Sequence, residues 1–227
     1  MLKSALTIRS IAVAATLVVG ASAHALTIPT NALVANSVQA FSQEAQDAFD
    51  AGSVTVTPLG NATSVGVADA PGAYNLPITT ITIGSKLNIT AGDAKGSALE
   101  IARVDRKLGK VGLVLANFTL NYVTKQVLAD TTPIGGTTVK QAPVYNFTVT
   151  TPLGIKYKFP LSITAHEVLG QLTLTPDANL TMKKSLVLSV ALRAALDGIT
   201  SFGTLTQDIA VKFRPKAVSA KPYTPAP

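Results

Sequence analysis

The side chains in this sequence that are able to do chemistry are few and scattered. His166 is the only histidine beyond His24, and its neighbour is Glu167. On a strand, successive side chains point to opposite faces, so this pair cannot act as a base and its orienting acid. No Gly-x-Ser-x-Gly elbow is present, and no Ser-x-x-Lys lies in a catalytic setting. Of the twelve acids, Glu44, Asp47 and Asp50 share one polar face, and only Glu100, Asp105 and Glu167 sit where a perturbed acid is worth seeking. No Asp-x-Asp-x-Asp loop or histidine pair suggests a metal, and Ile134-Gly135-Gly136-Thr137 lacks the lysine of a phosphate loop. The absence of tryptophan argues against a sugar cleft, and the absence of cysteine excludes disulfides, thiol catalysis and thiolate metal sites. These residues read as a non-catalytic protein.

Five side chains remain as candidates to touch a bound molecule: Tyr74, Tyr122, Tyr145, Tyr157 and His166. Each of these tyrosines lies in an alternating apolar pattern, which core packing explains equally well.

The elements that must position them are mainly strands. In Val111–Ala129, Val111, Leu113 and Leu115 alternate on one parity, and Phe118, Leu120 and Tyr122 on the other. A parity switch requires an extra residue, so a bulge is predicted near Ala116-Asn117, followed by a turn at residues 123–126. Residues 78–83 and 98–104 read as strands, with residues 91–97 as a turn between strands. A polar loop is expected over residues 130–143, carrying a short hairpin at Gly135-Gly136. Tyr145, Phe147 and Val149 alternate, as do Ile155, Tyr157 and Phe159, and Thr151-Pro152-Leu153-Gly154 predicts a hairpin turn between them. Residues 161–174 and 209–213 complete the β pattern.

Two helices are expected. Leu33 or Val34, Val38, Phe41, Ala45 and Ala48-Phe49 recur at helical spacing from a cap at Thr30 or Asn31 to a stop at Gly52. Residues 178–197, after Pro176 and a cap at Asp177, favour a second helix, although Leu186, Leu188, Val190 and Leu192 also fit a strand. Tyr74–Thr79 echoes Tyr157–Ser162, each after a Thr-Pro-Leu-Gly, but the spacing differs and no fixed repeat results.

The N-terminus reads as an address. Lys3 and Arg9 precede the apolar run Ile11–Gly20 and the small-residue site Ala21–Ala25, a combination that predicts a cleaved signal peptide over residues 1–25. The apolar run is about half the ~20 residues a spanning helix needs. Its removal takes two of nineteen bases and no acid, so 19 − 2 − 12 leaves +5. The basic clusters lack interleaved aromatics, which argues against nucleic acid. Export without cysteine favours a bacterial envelope protein. Five Asn-x-Thr sequons, at Asn61, Asn88, Asn117, Asn146 and Asn179, then read as turn and strand-edge residues.

Several pieces in order resemble the HtaA-like secreted domains of bacteria. They are Val54–Thr63, Leu76–Thr79, Gly96–Ile101, Val114–Phe118, Val127–Asp130 and Leu172–Ala178. The resemblance implies a β-rich fold and haem as cofactor, with a tyrosine as ligand. The histidine that the family pattern places ahead of its glycine step is replaced here by Asp93-Ala94-Lys95.

The expectation is therefore a mainly β protein, an antiparallel β-sandwich or rolled sheet with an N-terminal amphipathic helix and a C-terminal helix. Residues 26–214 form a single β-rich domain and residues 215–227 a Pro-rich flexible tail. Its function is that of a secreted, periplasmic or surface-located envelope protein, either binding or structural. The partner is an envelope protein, an apolar ligand or a second copy, and no cofactor is required. The alternative is a carrier of haem or another apolar ligand.

Overall fold

The computed structural model describes residues 25–66, 72–84, 88–158 and 162–226. The expected signal segment, apart from Ala25, lies outside the described residues. The protein is mainly β, and among the described residues twelve strands join in one antiparallel sheet. In chain order the elements are β1 (Leu26–Pro29), β2 (Leu33–Ala40), α1 (Gln43–Ala51), β3 (Thr55–Gly60), β4 (Thr63–Val65), β5 (Ala73–Pro77) and β6 (Thr80–Ile83). They continue with β7 (Ile89–Asp105), β8 (Gly109–Asn121), β9 (Gln126–Pro133), β10 (Val139–Lys158), β11 (Ser162–Leu174), α2 (Pro176–Ser185), α3 (Val190–Gly198) and β12 (Thr204–Phe213).

The sheet order runs β1-β6-β7-β8-β9-β10-β11-β12-β2-β5-β4, with β3 alongside the second half of β7. Strands β5 and β6 lie near opposite ends of that order yet are separated by only Ile78-Thr79. The Ile78 amide donates to the Ala35 carbonyl of β2 (2.9 Å) and the Thr79 amide to the Asp93 carbonyl of β7 (2.7 Å). These two residues stitch the ends of the sheet together, so the architecture is the rolled sheet, not the sandwich.

The parity switch in β8 is a bulge, as expected. Register shifts between Ala116 and Thr119 and between Ala94 and Ala98 face each other across β7 and β8, and Asn117 takes φ 53°. Helices α1, α2 and α3 plug one end of the roll. Phe41, Phe49, Met182, Leu186, Leu188, Leu196 and Phe202 join Leu113, Leu115, Leu169 and Leu205 there in the main core. A second cluster of Ala35, Ile78 and Ile81, with Ile83, Ile89 and Ile209 packed on it, occupies the other end.

Between the two clusters lies a polar belt. Ser37, Gln207 and Glu167 are register partners across β2, β12 and β11, all buried on the inner face. The row above them on one side is Gln39, Leu205 and Leu169, and on the other Ala35, Ile209 and Ala165. A cavity of about 20 Å³ at this level, touched by Ser37, Gln39, Tyr145 and Gln207, has room for a single water.

Several sequence expectations are corrected. The predicted helix over residues 31–51 is two elements: residues 33–40 are strand β2, and only Gln43–Ala51 are helical, capped by the Ser42 hydroxyl on the Ala45 amide. The inner face of β2 carries Ala35, Ser37 and Gln39, whose polar members hid the strand alternation. Residues 91–97 are not a turn but the middle of β7, and residues 151–154 are not a hairpin turn but part of the 20-residue β10. Register shifts at Val149/Thr151 and Thr151/Gly154 absorb Pro152 without breaking the pairing with β11. The predicted C-terminal helix is split into α2 and α3, with Thr175, not Asp177, as the first cap and Pro176 at the first helical position.

The Pro-rich tail lies against the domain. The Val218 amide donates to the Asn31 carbonyl, Asn61 Nδ2 donates to the Ser219 carbonyl (2.7 Å), and Tyr223 packs on Leu59, Ala98, Val114 and Ala116. The Asn117 amide grips the Tyr223 backbone at two points, accepting from its N–H (2.7 Å) and donating to its carbonyl (2.9 Å). The tail thus straps the outer surface from the start of β2 across β7 to β8.

Candidate functional site

A groove proportioned for a ligand lies between α2 and the wall formed by β8, β9 and β10. Helix α2 is hung on β10 by its cap. Thr175 Oγ1 accepts from the Ala178 amide and donates to the Pro143 carbonyl (2.6 Å), and the Thr175 amide donates to the Val144 carbonyl (2.9 Å). Buried Met182 then pulls the far turn into the core. Between the cap and Met182, half-buried Ala178 also packs on the core, and Ala178, Leu180 and Thr181 form the helix side of the groove.

The strand side of the groove is shaped by a bulge in β10 between Val139 and Ala142. Gln141 holds that bulge at φ 49°, with its backbone amide on Asp130 Oδ1 (2.9 Å) and its side-chain amide on the Asn117 carbonyl (2.9 Å). The resulting groove has a volume of about 800 Å³. Leu113, Leu115, Val144 and Met182 form its floor, and half-exposed Leu180 and exposed Val139 its walls. Lys140 and Asp177 are its charged lining residues. A space of this size with an apolar lining and few polar groups suits a small molecule.

None of the five candidate side chains read from the sequence lines this groove. Tyr145 is fully buried against Phe202 (ring centroids 5.7 Å), and burial pushes its phenol up to about 12. Tyr74 is buried edge-on to Phe41, donates to the Val56 carbonyl (3.0 Å), and has its phenol shifted upward by desolvation. Tyr122 packs edge-on to Phe147 and donates to Glu167 Oε2 (2.5 Å), inside the roll; burial first and this bond second raise its phenol far above the ordinary value. Tyr157 lies exposed at the far end of β10, opposite Ile163. His166 lies on the outer face with Nδ1 2.7 Å from Asp208 Oδ1, while Glu167 faces inward, as strand alternation requires. The five are therefore distributed over the core, the polar belt and the outer surface.

Glu167 is the acid with chemical character. Desolvation raises its carboxyl above the usual range, and the Tyr122 hydroxyl draws it partly back. Its position in the belt, held by a phenol that is itself hard to ionise, makes it a polar tie between the turn after β8 and β11. Glu100 is ion-paired with Lys110 (2.6 Å). Asp105 caps the β7–β8 turn, and the Lys107 and Leu108 amides hold its carboxyl below the usual range.

The groove was not legible beforehand, because its floor residues look like ordinary core strands and its bulge rests on Gln141, a polar residue in a stretch expected to be loop. No protein-family model matches the chain, and no curated protein matches it. Among solved structures it is similar to the C-terminal domain of HtaA from Corynebacterium glutamicum, with 9% identity and a TM-score of 0.45 over 78% of this chain and 97% of that one. That is a likeness of structure without a shared sequence family, and no residue role passes across it.

Proposed function

We propose that the protein is a non-catalytic binding protein of the bacterial cell envelope that carries an apolar small molecule in the groove between α2 and β8–β10. The observation that carries this reading is the groove itself, about 800 Å³ with Leu113, Leu115, Val144 and Met182 as its floor and Leu180 presented from the helix. Burying such a ligand removes apolar surface on both sides from water, which favours binding by roughly 25 cal/mol per Å² before ordering costs. The charge and small-residue pattern of residues 1–25 supports the envelope location.

Haem is the more specific alternative, and it draws no support from the groove. Tyr74, Tyr122, Tyr145, Tyr157 and His166 all lie elsewhere, so an iron ligand there would have to come from other residues. The reading as a non-enzyme rests on the same dispersal: His166–Asp208 is a surface pair, and Glu167 is tied to Tyr122 inside the roll.

Native mass spectrometry of the mature protein, purified from its own envelope fraction, tests this reading. A monomer with added mass is expected, and Leu180→Asp should lose that mass while keeping the fold. A bare protein that also fails to bind a fluorescent apolar probe refutes the carrier, and a bare polymer points to a structural role.

A further inference from the structure

At the end of the roll opposite the helices, strands β10, β11 and β12 present apolar side chains to solvent. Tyr157 and Ile163 are direct register partners, and Ile155 lies opposite Ala165. On the adjoining strand Val211 and Phe213 finish β12. Phe213 is 77% exposed, Ile155 68%, Tyr157 63% and Val211 56%. Isolated exposed apolar residues need no explanation, but a cluster of two aromatic and several aliphatic side chains at one tip does.

The charges at this tip are of one sign. Lys156, Lys158 and Lys212 alternate with the apolar residues, and Arg214 and Lys216 follow directly. No acid occurs between Asp130 and Glu167 or after Asp208, and β2 residues 33–36, which run beside the end of β12, carry no charge. Aliphatic and aromatic side chains interleaved with lysines along the same strand ends match an anionic bilayer. The apolar groups enter the boundary between headgroups and acyl chains, and the ammonium groups stay at the level of the phosphates.

We propose that this tip, built from Ile155, Tyr157, Ile163, Val211 and Phe213 with Lys156, Lys158 and Lys212, docks the protein reversibly on an anionic lipid surface. The ligand groove is separate. It meets β10 around Ala142, on the order of 40 Å along the strand from Ile155, so the two sites do not overlap. The proposal stands on the tip alone and does not depend on what the groove carries.

The chain has no tryptophan, so Phe213→Trp places a single reporter at the tip. With vesicles of phosphatidylglycerol and phosphatidylcholine in equal parts, its emission is expected to shift to the blue and the protein to float with the lipid. At about fivefold per lysine, replacing Lys156, Lys158 and Lys212 by Gln should weaken binding on the order of a hundredfold. High salt should weaken it also, and Ile155→Ser with Val211→Ser should abolish the blue shift while the probe in the groove still binds. Three results would overturn the proposal: no flotation, binding that ignores the two Ser substitutions, or a blue shift that appears without lipid and scales with protein concentration. The last would assign the tip to a second copy of the chain. Loss of groove binding with vesicle binding retained would count against the carrier alone.

Discussion

Substituting Gly96 should release the C-terminal strap, and the structure supplies both the size of the effect and its control. Gly96 has φ +79°, and a Cβ there would meet Asn61 Nδ2 at 2.5 Å, the Lys221 carbonyl oxygen at 2.9 Å and the Ser219 carbonyl oxygen at 3.0 Å. Gly109 has nearly the same backbone, φ +74°, with nothing within 4 Å of its would-be Cβ. Left-handed strain costs an alanine about 1–2 kcal/mol at either site. At Gly96 the added methyl also displaces the tail. The Asn61–Ser219 bond and the two Asn117–Tyr223 bonds are then lost, at about 1 kcal/mol each. Gly96→Ala is therefore expected to cost about 4–5 kcal/mol and Gly109→Ala about 1–2 kcal/mol. For a domain of this size the gap of about 3 kcal/mol corresponds to roughly 6–12 °C in Tm. Urea unfolding of the two variants measures the difference, and tryptic cleavage after Lys216 should accelerate only in Gly96→Ala. Deleting residues 217–227 should cost little more once Gly96→Ala is present, since both act through the same contact. Equal stabilities for the two variants, or additive effects of Gly96→Ala and the deletion, would refute the reasoning.

Two further outcomes follow from the belt and the groove. Glu167 binds its proton more tightly in the folded protein than in the unfolded chain, so its charged form is a liability at neutral pH that fades as the pH falls through the folded value. Glu167→Gln should thus raise Tm at pH 7, with the gain shrinking toward zero below the unfolded carboxyl's pKa of about 4.3; a gain that grows on acidification contradicts this, and thermal melts across that range decide it. Thr175→Ala removes both the cap of α2 and its tie to Pro143, which should cost about 2 kcal/mol in chemical unfolding and weaken probe binding in the groove. Unchanged probe affinity would show that α2 does not set the groove's shape.

What the sequence revealed and what it hid have a common cause. The bulge at Ala116-Asn117 was readable because apolar residues occupy both parities of β8 and the switch between them is visible. Strand β2 was not, because its inner face carries Ser37 and Gln39, and with those positions read as polar only a helical spacing remained. The same belt explains why Glu167 looked like a mere neighbour of His166. Its importance comes from Tyr122, which lies 45 positions away in sequence and meets it only because the sheet rolls. Gly92, Asp93 and Gly96 suggested a turn, but in β7 they serve a bulge and a strap contact instead. The tail's prolines said nothing of Asn61 and Asn117, which hold it by its backbone.

The strap has a consequence for how the chain reaches its final shape. The outside of the roll is strapped by residues 218–223, which are delivered after every strand of the sheet in any vectorial process, whether synthesis or passage through a membrane pore. Until they arrive, Asn117 and Asn61 lack those backbone partners, and Ala98, Val114 and Ala116 lack the cover of Tyr223. The time this apolar surface stays uncovered is set by the interval between delivery of β8 and delivery of Tyr223. A slower exit would lengthen that interval without altering any contact of the finished molecule.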